Sequence, residues 1–181
     1  GGGKGLVAFY SDRDGNPEVY LMKADGSDPI RLTRSPSYDV APALSPDGSR
    51  IAFLTDRDDP SGSFQDRKWE IYVMGADGSS VTRITRNGVG EDHLAWSPDG
   101  TRISFNADYD GDGFQEIWIM SADGTSPVRL TSGRANDQGA SWAPDGRRIV
   151  FSSDRAGGLD LYPMNADGTG QVRITADPNP E

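Results

Sequence analysis

The chain has 181 residues, no cysteine, a single histidine and a formal net charge of −10. Disulfides and thiolate metal centres are therefore excluded. The acidic balance disfavours nucleic acid and anionic membrane surfaces, leaving cations or basic protein patches as better-matched partners.

Gly1–Gly3 reads as a cloning remnant, and no signal peptide or membrane-length apolar run is visible. A short apolar run then closes on Phe9, and the same run recurs at Phe53, Phe105 and Phe151. A second run carries Tyr20, Tyr72, Trp118 and Tyr162. An Ala-Asp-Gly phrase follows, with its Asp at 25, 77, 123 and 167, spacings of 52, 46 and 44. An Arg-(Leu/Ile)-Thr phrase ends at Thr33, Thr85, Thr131 and Thr175, with the same three spacings. A further run ending in Leu44, Trp96 or Trp142 leads into Pro-Asp-Gly at 46–48, 98–100 and 144–146.

The runs are short and rich in Ile, Val, Phe and Tyr, which predicts strands rather than helices. Proline presets φ in the Pro-Asp-Gly turn, and glycine takes the positive φ that closes it. Internal repeats of four short strands at this period are propeller blades. The sequence thus predicts an all-β fold: a β-propeller of about four four-stranded antiparallel blades, at 5–34, 38–86, 91–132 and 137–176. The first blade lacks its inner strand, so 15 strands are expected.

These phrases resemble the TolB-like propeller repeat. The resemblance rests on Trp96-Ser97-Pro98-Asp99-Gly100, Arg50-Ile51-Ala52-Phe53, Ser153-Asp154-Arg155 and Ile71-Tyr72-Val73-Met74. It covers nearly the whole chain. It implies the fold, and hints at a periplasmic or extracytoplasmic location. It does not select among the family's roles, which include protein-binding subunits and propellers attached to peptidases.

With one strand missing, three arrangements are open: a four-bladed ring with one three-stranded blade, a segment of a longer propeller, or two chains joined into a larger ring. An uncovered blade edge is a template for another strand, so self-association, a homodimer first, is expected. Two local departures stand out. The second blade carries an insertion around Asp58–Trp69, which reads either as a binding loop or as a tolerated surface loop. Pro163 occupies the position of Leu21, Val73 and Ile119, where it removes a ladder donor and weakens the last blade.

Two groups of residues invite chemistry. In Asp108-Tyr-Asp110-Gly-Asp112-Gly-Phe114-Gln-Glu116, alternating carboxylates around glycine are the pattern by which a loop wraps Ca²⁺. Asp108, Asp110, Asp112 and Glu116 are the expected side-chain ligands, and Phe114 offers its carbonyl. The same residues also read as turn formers, because Asp108 shares a column with Asp12, Asp56 and Asp154. Asp39, Glu91 and Asp137 each stand five residues before the end of an inner strand, with Asp92 and His93 beside the second. They are expected to ring a channel mouth and bind a cation or basic peptide, or else to cap loops on a solvated face. Trp69, beside the long loop, is a candidate partner contact, whereas Trp96, Trp118 and Trp142 are architectural. Recurrent Asp-Arg pairs are expected to stitch turns to neighbouring blades. No nucleophile elbow or phosphate loop is present. The reading is a non-enzymatic binding or scaffolding module for a protein or peptide. The alternatives are a propeller detached from a peptidase or metal-dependent lyase, or an engineered or evolutionary-model fragment.

Overall fold

The computed structural model describes residues 5–59 and 68–175. It is all-β: four antiparallel sheets of three or four strands and, among the described residues, no helix. The chain divides into two compact units, Gly1–Asp92 and His93–Glu181.

In the first unit, β1 (Leu6–Ser11), β2 (Glu18–Lys23) and β3 (Ile30–Arg31) form a three-stranded sheet. Strands β4 (Asp39–Leu44), β5 (Arg50–Thr55), β6 (Glu70–Gly75) and β7 (Thr82–Arg83) form a four-stranded one. Between the two sheets Val19, Ile51, Phe53, Tyr72 and Met74 are buried, with Ala8, Leu21, Leu32 and Leu44 packed on them. Burial of such side chains stabilises by roughly 1.5–3 kcal/mol each, and supplies the sheet-on-sheet cohesion that a thin repeat layer needs.

Strand β8 (Glu91–Trp96) opens the next sheet and contains the boundary between the units. That sheet continues through β9 (Arg102–Ala107), β10 (Glu116–Ser121) and β11 (Val128–Arg129). The last sheet holds β12 (Asp137–Trp142), β13 (Arg148–Ser153) and β14 (Asp160–Asn165). Ile117, Ile119, Leu130, Ile149, Phe151, Tyr162 and Met164 form the second core. Trp142 packs against it, donating from Nε1 to Ser104 Oγ at 3.0 Å and lying under the Arg102 guanidinium.

The recurrent aromatics are direct cross-strand partners: Phe9 faces Tyr20, Phe53 faces Tyr72, Phe105 faces Trp118 and Phe151 faces Tyr162. The inner strands share a left-handed third residue. Ala41, His93 and Gly139 all have positive φ (47°, 53° and 67°). Pairing shifts register there in β4 and β12. An extra residue in left-handed conformation bends the strand and re-aims its head.

The described residues contain 14 strands rather than 15, and the difference lies in the last blade. Val172 donates to Pro163 O at 3.2 Å and Ile174 to Leu161 O at 2.9 Å, so the outer segment runs beside β14. The return bond opposite Val172 needs the N–H that Pro163 lacks, and the fourth strand is not completed. The long insertion falls largely on residues 60–67, outside the described residues.

Candidate functional site

Glu18, Glu70, Glu116 and Asp160 open β2, β6, β10 and β14, and each is at most 2% exposed. A carboxylate removed from water needs a cation and hydrogen bonds. Both come from the Arg-Leu/Ile-Thr phrase or its counterpart. Arg31 Nη2 lies 2.7 Å from Glu18, Arg83 Nη2 3.0 Å from Glu70 and Arg173 Nη2 2.7 Å from Asp160; Arg129 bonds Glu116 in the same way. The four threonine hydroxyls accept the backbone N–H just after each acid, at 2.7–3.0 Å. Thr33 donates in turn to Glu18 at 2.5 Å, and Thr175 to Asp160 at 3.0 Å.

The inner-strand acids form a second set. Asp39, Glu91 and Asp137 are at most 1% exposed. They do not line a solvated mouth, contrary to the sequence expectation. Arg57 Nη2 contacts both oxygens of Asp39 at 2.9 and 3.1 Å, and Arg155 Nη2 those of Asp137 at 2.8 and 2.9 Å. Burial pushes the Asp39 carboxyl up, opposed by hydrogen bonds from Thr55 and Arg57. The Asp-Arg pairs thus fasten a turn to the inner strand of the same blade, not a neighbour. Asp56 and Asp154 complete the fastening by accepting the backbone N–H of Tyr38 and Asn136, both at 2.8 Å. Each arginine also covers the ring pair of its blade: Arg57 over Phe53 and Tyr72, Arg155 over Phe151 and Tyr162.

The third blade solves the same problem differently. Tyr109 replaces the arginine and packs on Trp118 with centroids 4.7 Å apart. Glu91 is instead held by Thr85 Oγ1 at 2.9 Å and Asn87 Nδ2 at 2.5 Å.

The first blade keeps half of this arrangement. Arg13 lies 5.3 Å over the Phe9 ring and 5.1 Å over the Tyr20 ring, with Nε donating to Ser11 Oγ at 3.0 Å. Arg57 and Arg155 make the matching bonds to Thr55 and Ser153. Yet β1 is an edge strand, and Arg13 has no carboxylate partner among the described residues. Val7 and Tyr10 on this edge are 38% and 54% exposed, whereas their counterparts are buried, Ile51 in the core between the two sheets and Leu54 opposite Val40 of β4.

In the acidic loop, Asp108, Asp110 and Asp112 each offer a carboxylate oxygen within 4.8 Å of the others. Asp108 accepts backbone N–H bonds from Gly111, Asp112 and Gly113, at 2.8, 3.1 and 2.9 Å. Asp110 is 2.6 Å from Arg129 Nη1, which holds its carboxyl below the usual range. Asp14 and Asp58 play this part for Arg31 and Arg83, so Asp110 also has a place in the repeat. Phe114 is half-buried and donates its N–H to Asp112 at 3.1 Å. Glu116 departs from the sequence expectation: it is buried against Arg129, as Glu18 and Glu70 are against their arginines, and does not join the three aspartates.

The profile described as TolB beta propeller domain matches residues 2–89 and 94–180. The chain belongs to the TolB β-propeller family. A TolB homolog from Chlorobium luteolum is 35% identical over 107 residues, covering 58% of this chain and 22% of that protein. The TolB-family chain thus spans about a fifth of the curated relatives it matches. The putative TolB from Agrobacterium tumefaciens aligns with a TM-score of 0.77 and 28% identity, covering 93% of this chain and 60% of that one. Puromycin hydrolase, at 19% identity and a TM-score of 0.71 over 97% of this chain and 31% of its own, shares the fold alone.

Within this TolB-family propeller, Glu91, Asp92 and His93 belong to no metal-holding group among the described residues: Glu91 is buried, and His93 is exposed with a positive φ. Trp69 is half-buried, and its carbonyl accepts the Glu91 N–H at 3.0 Å. No helix among the described residues is long and apolar enough to cross a membrane. The sequence reading passed over the buried acids that open β2, β6, β10 and β14. A constant separation of 13 residues from acid to arginine marks all four: 18 to 31, 70 to 83, 116 to 129 and 160 to 173.

Proposed function

We propose that this chain is a non-enzymatic protein-binding propeller, acting outside the cytoplasm, that associates through the open edge of its first blade. The supporting observation is β1, an edge strand among the described residues, whose Tyr10 is exposed where Leu54, opposite Val40 of an inner strand, is buried. Unpaired N–H and C=O groups beside exposed apolar side chains recruit a further strand. Meanwhile the recurrent acids are buried and engaged in architecture. A second copy is the first candidate partner. Light scattering across a dilution series tests this: a mass near twice 19.5 kDa that drops to one chain in a Val7→Lys/Tyr10→Lys variant supports self-association. A single-chain mass at every concentration removes it.

A calcium ion at the acidic loop is a second reading, favoured by the convergence of Asp108, Asp110 and Asp112. The ion competes with Arg129 for Asp110. Calorimetric titration of Ca²⁺ into chelator-treated protein, with melting curves, decides it. No heat and no thermal shift at about 10 mM refutes the site.

A further inference from the structure

Asn87-Gly88 is the one Asn-Gly step in the chain, and it lies exposed in the turn between β7 and β8. Two buried acids, Glu70 and Glu91, meet at it. Asn87 Nδ2 donates to Glu91 Oε1 at 2.5 Å, while the N–H groups of Asn87 and Gly88 donate to Glu70 Oε1 at 3.3 and 3.0 Å. Asn87 Oδ1 accepts the N–H of Val89 at 2.8 Å. One side-chain amide therefore ties the head of β8, through Glu91, to a turn that Glu70 holds at the head of β6. Such a tie needs a donor at position 87, since an ionised carboxylate only accepts.

An Asn-Gly step is also where that donor is most easily lost. A main-chain nitrogen attacks the amide carbon of the preceding Asn only when it comes close, and glycine puts no side chain in the way. Nothing lies within 4 Å of where a Cβ of Gly88 would stand. Attack by Gly88 N on Asn87 Cγ forms the N–C bond of a cyclic imide and breaks the bond to Nδ2, which leaves as ammonia with the Gly88 proton. Water then opens the imide at either carbonyl and leaves aspartate or isoaspartate at position 87. One water is consumed, one ammonia is released and nothing is oxidised. In the closed turn the bonds to Glu70, Glu91 and Val89 restrain both reacting groups, so the reaction proceeds from the opened turn. Closing does not undo it. The product sets a carboxylate oxygen where Nδ2 met Glu91, a like charge against an acid that is 1% exposed. We propose that Asn87 is a site of spontaneous deamidation, and that loss of its amide nitrogen releases the head of β8 irreversibly.

The intact chain is aged in warm neutral buffer, folded and in urea, and mapped by mass spectrometry after digestion in mild acid. Conversion is expected at Asn87 in both states, with isoaspartate detected there by enzymatic methylation, and about tenfold slower in the folded chain. The Asn87→Asp variant should melt roughly 3–6 °C below wild type. Glu91→Gln offers an amide to the new carboxylate while its oxygen still accepts from Thr85. Adding Asn87→Asp to Glu91→Gln should therefore move the melt by less than about 2 °C. A folded chain that keeps Asn87 intact while the unfolded chain converts overturns the modification site. Equal rates in the two states, or an Asn87→Asp variant that melts with wild type, overturn the release. So does an equal loss from Asn87→Asp whether residue 91 is Glu or Gln.

Discussion

Arg155 grips Asp137 through one nitrogen, Nη2, which lies 2.8 and 2.9 Å from the two carboxylate oxygens while the guanidinium carbon rests 4.8 Å above the Tyr162 ring. Arg57 repeats the arrangement on Asp39 and Tyr72, and Arg13 repeats only its aromatic half. Truncating an arginine that neutralises a buried acid strands that acid. Arg57→Gln and Arg155→Gln should each lose about 2 kcal/mol, the buried-pair value reduced for the partly exposed guanidinium. Arg13→Gln should lose less than about 1 kcal/mol, its cation–π share. Urea unfolding of the three variants checks the order, and equal losses would refute the assigned roles.

Glu116 should give stability a pH dependence. Burial pushes its carboxyl up from 4.5 to about 7, with Arg129 opposing and Asp110, Asp112 and Asp108 adding to the rise. The folded state then holds the proton more tightly than the unfolded state. Between pH 4.5 and 7 unfolding releases protons, so this contribution is complete below 4.5 and is lost as pH rises through 7. Relative to Glu116→Gln, wild-type protein should lose on the order of 2 kcal/mol across that window. Parallel pH–stability curves for the two proteins would contradict it.

Pro163 offers a repair. Replacing it by isoleucine, the residue at position 119, supplies the missing donor opposite Val172. A gain of roughly 1 kcal/mol is expected, with slower amide exchange over residues 171–175. Unchanged exchange there would mean that the proline is not what leaves the last blade at three strands.

The inner-strand bulge makes opposite demands at two equivalent positions. Ala41 carries a φ of 47° on a residue with a Cβ, so Ala41→Gly should gain up to about 1 kcal/mol. Gly139→Ala should lose about the same, since the nearest atom, Ser152 Oγ, is 4.0 Å away and leaves only backbone strain to count. Thermal melts of the pair check the signs, and a common sign for both would remove strain as the cause.

The architecture was legible in the sequence because turn chemistry and aromatic spacing act locally. Phe9 and Tyr20 face each other because the turn between them fixes the register. The fate of the carboxylates was less legible. Period-two alternation tells which face a side chain occupies but not how deep that face lies. In so acidic a chain, Asp39 or Asp137 looks like surface charge until its cation is found. For Asp39 that cation is 18 residues away, and Asp137 repeats the same interval to Arg155. Glu116 read as a metal ligand for a related reason: Arg129, which engages it, stands in another phrase of the repeat. The missing outer strand beside β14 was foreshadowed by Pro163, since a lost donor is a property of one residue.

The head of each inner strand is tied backward along the chain. The N–H of Asp39 bonds Pro17 O at 2.9 Å, that of Glu91 bonds Trp69 O at 3.0 Å, and that of Asp137 bonds Gln115 O at 2.8 Å. The inner strands headed by Asp39 and Asp137 are thus held twice, backward to the blade before by this bond and within their own blade by the pairs with Arg57 and Arg155. Neither strand can leave its blade without pulling on the blade before it, so each of these junctions passes strain from one blade to the next.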